Sequence, residues 1–176
     1  MASYYCLMAG LPEINFSDPK PGCDMEEFME QLHEALVPWD ARLMAQYYFM
    51  LQDCRNLVAL LKDPEADIKY NGNFNKEQYK DLITSAQELN FNVHRYPAFM
   101  SEFAREWNFN KDKKGYFPED EMLCQFYEYA INTCSNEFVR SWYQLNMDIN
   151  NILPAMLAAK QGWKANDYIK GEGEVQ

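Results

Sequence analysis

Apolar residues recur along most of this chain at steps of three and four, the spacing of one face of an α-helix. A loop with two prolines and a glycine covers 15–23, and Asp24 then opens the first clear helix. Its stripe is Met25, Phe28, Met29, Leu32 and Leu36. Glu26 and Glu27 fill the first turn, where the helix dipole favours acids. Pro38 ends that helix and can start the next. A second helix is predicted over about 39–62, with a stripe from Leu43 to Leu61 long enough to be buried over most of its length. The turn-rich stretch 63–74 separates it from a third helix at about 76–89, for which Asn75 and Gln78 supply a capping-box pattern. A shorter helix is predicted from Pro97 to about Trp107. Pro118, followed by three acids, starts the last helical stretch, which runs to about Lys160 with Gly162 as its stop. As one straight helix those roughly 42 residues would span about 63 Å. Pro154 is expected to kink or divide it near Asn150–Asn151. Residues 3–11 read as a strand or a buried helical turn, and 163–176 as a polar tail.

The pattern predicts an all-α fold, an array of long antiparallel helices in a single helical domain. Two repeat-like units, about 24–89 and 97–162, are visible within it. Residues 46–62 (QYYFMLQDCRNLVALLK) align without a gap on 141–157 (SWYQLNMDINNILPAML), an offset of 95. Tyr47 meets Trp142, Tyr48 meets Tyr143, and Met50 meets Leu145. Helical periodicity alone accounts for most apolar matches of this kind. It does not account for Asp53 matching Asp148, or Asn56 matching Asn151. Asp and Asn are poor residues for a helix interior. At i and i+3 they share one face, and Leu57 and Ile152 follow as apolar neighbours. Half-buried polar groups need partners, and backbone groups at the end or bend of a neighbouring helix are the expected ones.

An Asp-x-x-Asn-apolar motif near the end of a long helix, preceded by aromatics, resembles the C/d subunit family of V-type and A-type rotary ATPases. Residues 46–62 look like that family's first repeat helix. Residues 137–161, with the downstream Ala158-Ala159-Lys160, look like a later one. The N-terminal YYCLMAGLP with this layout also resembles a bacterial family of uncharacterised proteins found with V-type ATPase genes. The resemblance implies a non-catalytic subunit seated as a socket between the membrane rotor ring and the central stalk. It also implies a cytoplasmic location, peripheral to the inner membrane through the complex. That family has three repeats and two are visible here, so the chain reads as a shortened relative or as part of a three-unit protein.

Composition narrows the alternatives. The net charge of −11 argues against a nucleic-acid partner and against simple adsorption to an anionic membrane. No run of 18 apolar residues occurs, so direct membrane insertion is not expected. The 12 Tyr, 11 Phe, 4 Trp and 10 Met suit thick packed interfaces. Five scattered cysteines, with no pair at CxxC spacing, read as reduced thiols.

Candidate chemistry is sparse. Glu30-x-x-His33 matches half of a helical di-iron ligand set, but His94 has Phe91 at i−3 and the second half is missing. Nothing pairs a cysteine with a histidine, and no phosphate-cradling glycine motif occurs. No catalytic, cofactor or metal site is predicted. Asp53 and Asp148 are the one carboxylate pair to weigh as catalytic. Their matched Asn companions favour structural hydrogen bonding instead. The expectation is an ATPase accessory subunit. A small helical enzyme or ligand-binding bundle with a site near Asp53 or Asp148 is the alternative, and a helical adaptor unrelated to ATPases is a third.

Overall fold

The computed structural model describes residues 4–11, 13, 17, 24–88, 95–164 and 169. His94 and most of the polar tail lie outside them. Among the described residues there is no strand, and the all-α class holds. The described residues form eight α-helices: α1 Tyr5–Gly10, α2 Met25–Ala35, α3 Pro38–Leu43, α4 Met50–Lys62, α5 Lys76–Gln87, α6 Ala98–Asn110, α7 Pro118–Thr133 and α8 Glu137–Gln161. A π-helical segment, Met44–Phe49, joins α3 to α4. The chain forms two compact units, Met1–Tyr48 and Phe49–Gln176.

In the first unit, the N-terminal apolar segment is a helix, α1, and it has no buried residue. This corrects the expectation of a strand or a buried turn. At six residues α1 is less than two turns long, too short to bury a face of its own, and it packs on α2. Tyr4 is tied to the start of α3: its hydroxyl donates to the Asp40 carboxylate and accepts from the Val37 N–H at 3.3 Å. Pro38 sits at the first turn of α3, where its missing N–H costs nothing.

The second unit holds the core. α4 packs on α5, α6 and α7, and α8 packs on α7. Leu57, Val58 and Leu60 of α4, Tyr79 and Leu82 of α5, Met100 and Phe103 of α6, and Met122 and Phe126 of α7 are buried together. The expected capping box opens α5: Asn75 Oδ1 accepts from the Gln78 N–H, and Gln78 Oε1 accepts from the Asn75 N–H, both at 2.9 Å. The helix predicted over 39–62 is helical throughout but is not one α-helix, because the π segment interrupts it. A π turn holds an extra residue and resets which side chains face the core.

The helical stretch after Pro118 is divided at a different place from the one predicted. α7 ends at Thr133 and α8 begins at Glu137, while Pro154 stays inside α8. The physical reason lies in Asn132-Thr133-Cys134-Ser135-Asn136. Thr133 Oγ1 donates back to the Tyr129 carbonyl at 2.7 Å. Cys134 leaves the helix in an extended conformation. Asn136 Oδ1 then caps the new helix by accepting from the Val139 N–H at 3.1 Å. Pro154 removes a single backbone bond, which a 25-residue helix packed on a neighbour tolerates. The three-residue link folds α8 back along α7, so that Tyr127 meets Tyr143 with ring centroids 5.9 Å apart. Gly162, in the left-handed region at φ 70°, stops α8 as predicted.

Candidate functional site

Asp53 and Asn56 stand one turn apart on α4 and are both buried, Asp53 at 0% exposure. A carboxylate in that position is tolerable only if donors surround it. Three do. Tyr79 Oη donates to Oδ1 at 2.6 Å, the Phe74 N–H donates to the same oxygen at 3.1 Å, and Asn73 Nδ2 donates to Oδ2 at 2.8 Å. Asn56 reads the backbone of Tyr70 with both ends of its amide. Its Nδ2 donates to the Tyr70 carbonyl at 2.8 Å, and its Oδ1 accepts from the Tyr70 N–H at 3.3 Å. The same Nδ2 lies 3.3 Å from Tyr79 Oη, so the phenol closes a ring with both α4 residues.

Together these bonds fasten the segment 70–74, which leads into α5, along the side of α4. The Asn71-Gly72-Asn73-Phe74 run supplies what this needs. Gly72 runs so close to the carboxylate that an added Cβ would lie 2.1 Å from Asp53 Oδ1. Phe74 stacks edge-on against Tyr79 and Tyr96, at centroid distances of 5.8 and 5.4 Å, and roofs the polar ring with apolar surface. Burial and the hydrogen bond to Asp53 raise the Tyr79 phenol well above its ordinary pKa. Burial, and the neighbouring Asp53, likewise push up the Cys54 thiol. Both groups are therefore held protonated, and the Tyr79 hydroxyl is kept as a donor to Asp53.

The second Asp-x-x-Asn sits in a different setting. Asp148 is half-buried, and Gln144 on the same helix donates to its Oδ1 at 3.1 Å. Asn151 is buried, and its neighbour Asn150 donates to Tyr127 Oη at 3.3 Å. Leu57 is fully buried, whereas Ile152 is 42% exposed. Tyr47 is buried and its counterpart Trp142 exposed, while Tyr48 is exposed and its counterpart Tyr143 buried. The two helices share a residue pattern and not its surroundings. The π segment ahead of α4 has no equivalent in α8, and α4 packs on three helices while α8 packs chiefly on α7. The structure does not bring Asp53 and Asp148 into one polar cluster: the groups bonded to the first belong to 73–79, and those to the second belong to α8.

Tyr79, Asn73 and Gly72 are the site residues that periodicity missed. The cue for them was the Asn-Gly-Asn run just ahead of the Asn75 cap. A cavity of about 320 Å³ opens between α7 and α8, lined by Asp120, Cys124, Tyr127, Asn150 and Pro154 among others. It contains neither aspartate of the motif. Glu30 and His33 are exposed on α2. Among the described residues, no three His, Cys, Asp or Glu side chains are grouped so as to hold a metal ion.

No curated protein and no solved structure matches the chain. A family model does match it, over residues 1–176, and the chain therefore belongs to the family described as Protein of unknown function (DUF2764).

Proposed function

We propose that the chain is a non-catalytic subunit of a V/A-type rotary ATPase, coupling the central stalk to the membrane rotor ring as C/d subunits do. The observation that carries this reading is the use made of Asp53 and Asn56. Their hydrogen-bonding capacity is taken up in fastening the loop 70–74 to α4, which stiffens the second unit. A coupler that transmits torque needs stiffness of this kind, and the helix bearing the motif is the one whose sequence resembles the C/d repeat. No helix of the described residues is long and apolar enough to cross a membrane, which fits attachment through other subunits. The net charge of −11 suits basic surfaces on the ring loops or the stalk.

The test is purification of the tagged full-length chain from its native cells at low salt in mild detergent. Stalk and ring subunits are expected to come with it. Recovery free of every rotary-ATPase subunit would overturn the reading. One observation favours a second reading, a helical ligand-binding bundle: the cavity between α7 and α8 has a size common for small-molecule sites. That reading requires a small molecule to raise the melting temperature of the purified chain, and Asn150→Ala to abolish the rise.

A further inference from the structure

α8 is apolar on two opposite faces. One face, with Tyr143, Met147 and Ala158, is buried. At about 100° per residue, a second apolar row lies about 180° round the helix from it. This row is Phe138, Trp142, Leu145, Ile149, Ile152 and Met156, and every one is exposed, Phe138 at 76%, Trp142 at 52% and Met156 at 64%. The steps between them are 4, 3, 4, 3 and 4 residues, the heptad spacing of a coiled-coil seam. A scattered exposed Leu needs no explanation, but six large side chains in heptad register do.

We infer that this outer face of α8 binds the same face of a second copy, with the two helices antiparallel. The charges argue for a second copy. The chain carries −11 overall, yet α8 holds two acids, Glu137 and Asp148, and two bases, Arg140 and Lys160. The face thus lies on a helix with no net charge in an acidic molecule, where two copies meet with little repulsion. The register argues for the antiparallel arrangement. Five of the six row residues find a partner on the second helix when Ile149 faces Ile152 of the second copy, Leu145 faces Met156, and Trp142 faces the small Ala159; Phe138 falls opposite position 163, just past the end of the helix. Beside the seam, Asp148 then falls opposite Ala155 and Lys160 opposite Val139, so no like charges meet. Antiparallel helix dipoles are also mutually favourable. Because α8 is already folded on α7, pairing carries no helix-nucleation cost, which isolated helices of this length must meet. The inference is independent of the ATPase reading.

The test uses the full-length chain in sedimentation-velocity runs over a wide dilution series. Wild type is expected to sediment as a dimer. Ile149→Lys and Ile152→Glu are each expected to sediment as monomers with unchanged far-UV circular dichroism, since both positions are exposed. Mixing the two variants is expected to restore a dimer, because the introduced lysine of one copy then faces the introduced glutamate of the other while the remaining pair stays Ile–Ile. A parallel seam cannot restore it, so two variants that stay monomeric on mixing overturn the antiparallel arrangement. A wild type that is monomeric throughout, or a dimer that survives both single substitutions, overturns the interface itself. The first of these results, accompanied by a lowered melting temperature in both variants, would mean that another part of the same chain covers the row.

Discussion

Asp53 and Asp148 carry the same residue in the same sequence frame and are expected to behave differently when removed. Asp53→Ala takes the acceptor from the buried Tyr79 hydroxyl and the half-buried Phe74 N–H, loses the bond from the Asn73 amide, and should cost about 3 kcal/mol. Asp148→Ala loses one bond from Gln144 at a half-buried position, and should cost less than about 1 kcal/mol. Urea titrations of the two variants would measure the contrast, and equal costs would remove the distinction drawn between the two helices. Two tyrosines set the response to alkali. Burial, and its hydrogen bond to Asp81, push Tyr96 from an ordinary 10.0 up to about 12, and Tyr79 is raised further in the same direction. A group whose folded pKa is raised stabilises the fold fully below its unfolded pKa and loses that contribution as pH climbs toward the folded value. Melting temperature should therefore fall between about pH 10 and 12, and Tyr96→Phe should flatten part of that fall. A wild-type profile that stays level across this window would contradict the assignment.

At the scale of elements, the connection between α4 and α5 runs over the surface, exposed or half-buried along its length, yet it is bonded to two buried side chains of α4. Segment 70–74 is bonded to α4 through Asn56 and Asp53, and Gly72 touches the carboxylate itself. Gly72→Ala should cost about 2 kcal/mol, because the Asp53 side chain is held by three bonds and cannot yield to the new methyl. The conformational freedom of glycine is not at issue here, only its lack of a Cβ. Gly10, where an added Cβ would meet nothing within 4 Å, is the control, and its alanine variant should leave the urea midpoint unchanged. The α7–α8 hairpin shows the opposite balance. Its link is short and locally encoded by Thr133 and Asn136, while Pro154, the residue that most strongly signals a break, sits inside an unbroken helix.

For the whole molecule, burial is concentrated in one of the two units. Among the described residues, Tyr47 is the only buried one before Phe49. A chain begun at Phe49 should therefore keep a cooperative thermal transition and the helical circular dichroism of α4–α8, with the Asp53 ring intact. A broad, non-cooperative melt of that fragment would show that the first 48 residues complete the core. The outer row of α8 adds the other whole-molecule feature, an apolar face on an otherwise acidic chain.

Sequence periodicity by itself determined the all-α class, the approximate span of α2 and α5–α6, the Asn75 capping box and the Gly162 stop. Each of these follows from local chemistry: a 3.6-residue repeat, a side chain reaching a backbone N–H three residues on, or a glycine at positive φ. It also located Asp53 and Asn56, because polar residues in an apolar stripe stand out in any reading. Only the tertiary structure decided what surrounds them. The partners of Asp53 are 20 to 26 residues away, and no local pattern couples positions so far apart. The same holds for the two Asp-x-x-Asn helices: identical spacing gives identical faces, but what lies against a face depends on how many helices pack there. Among the described residues α4 packs on three helices and α8 chiefly on α7, and that difference turns a matching sequence into a buried lock in the first helix and an open apolar row in the second.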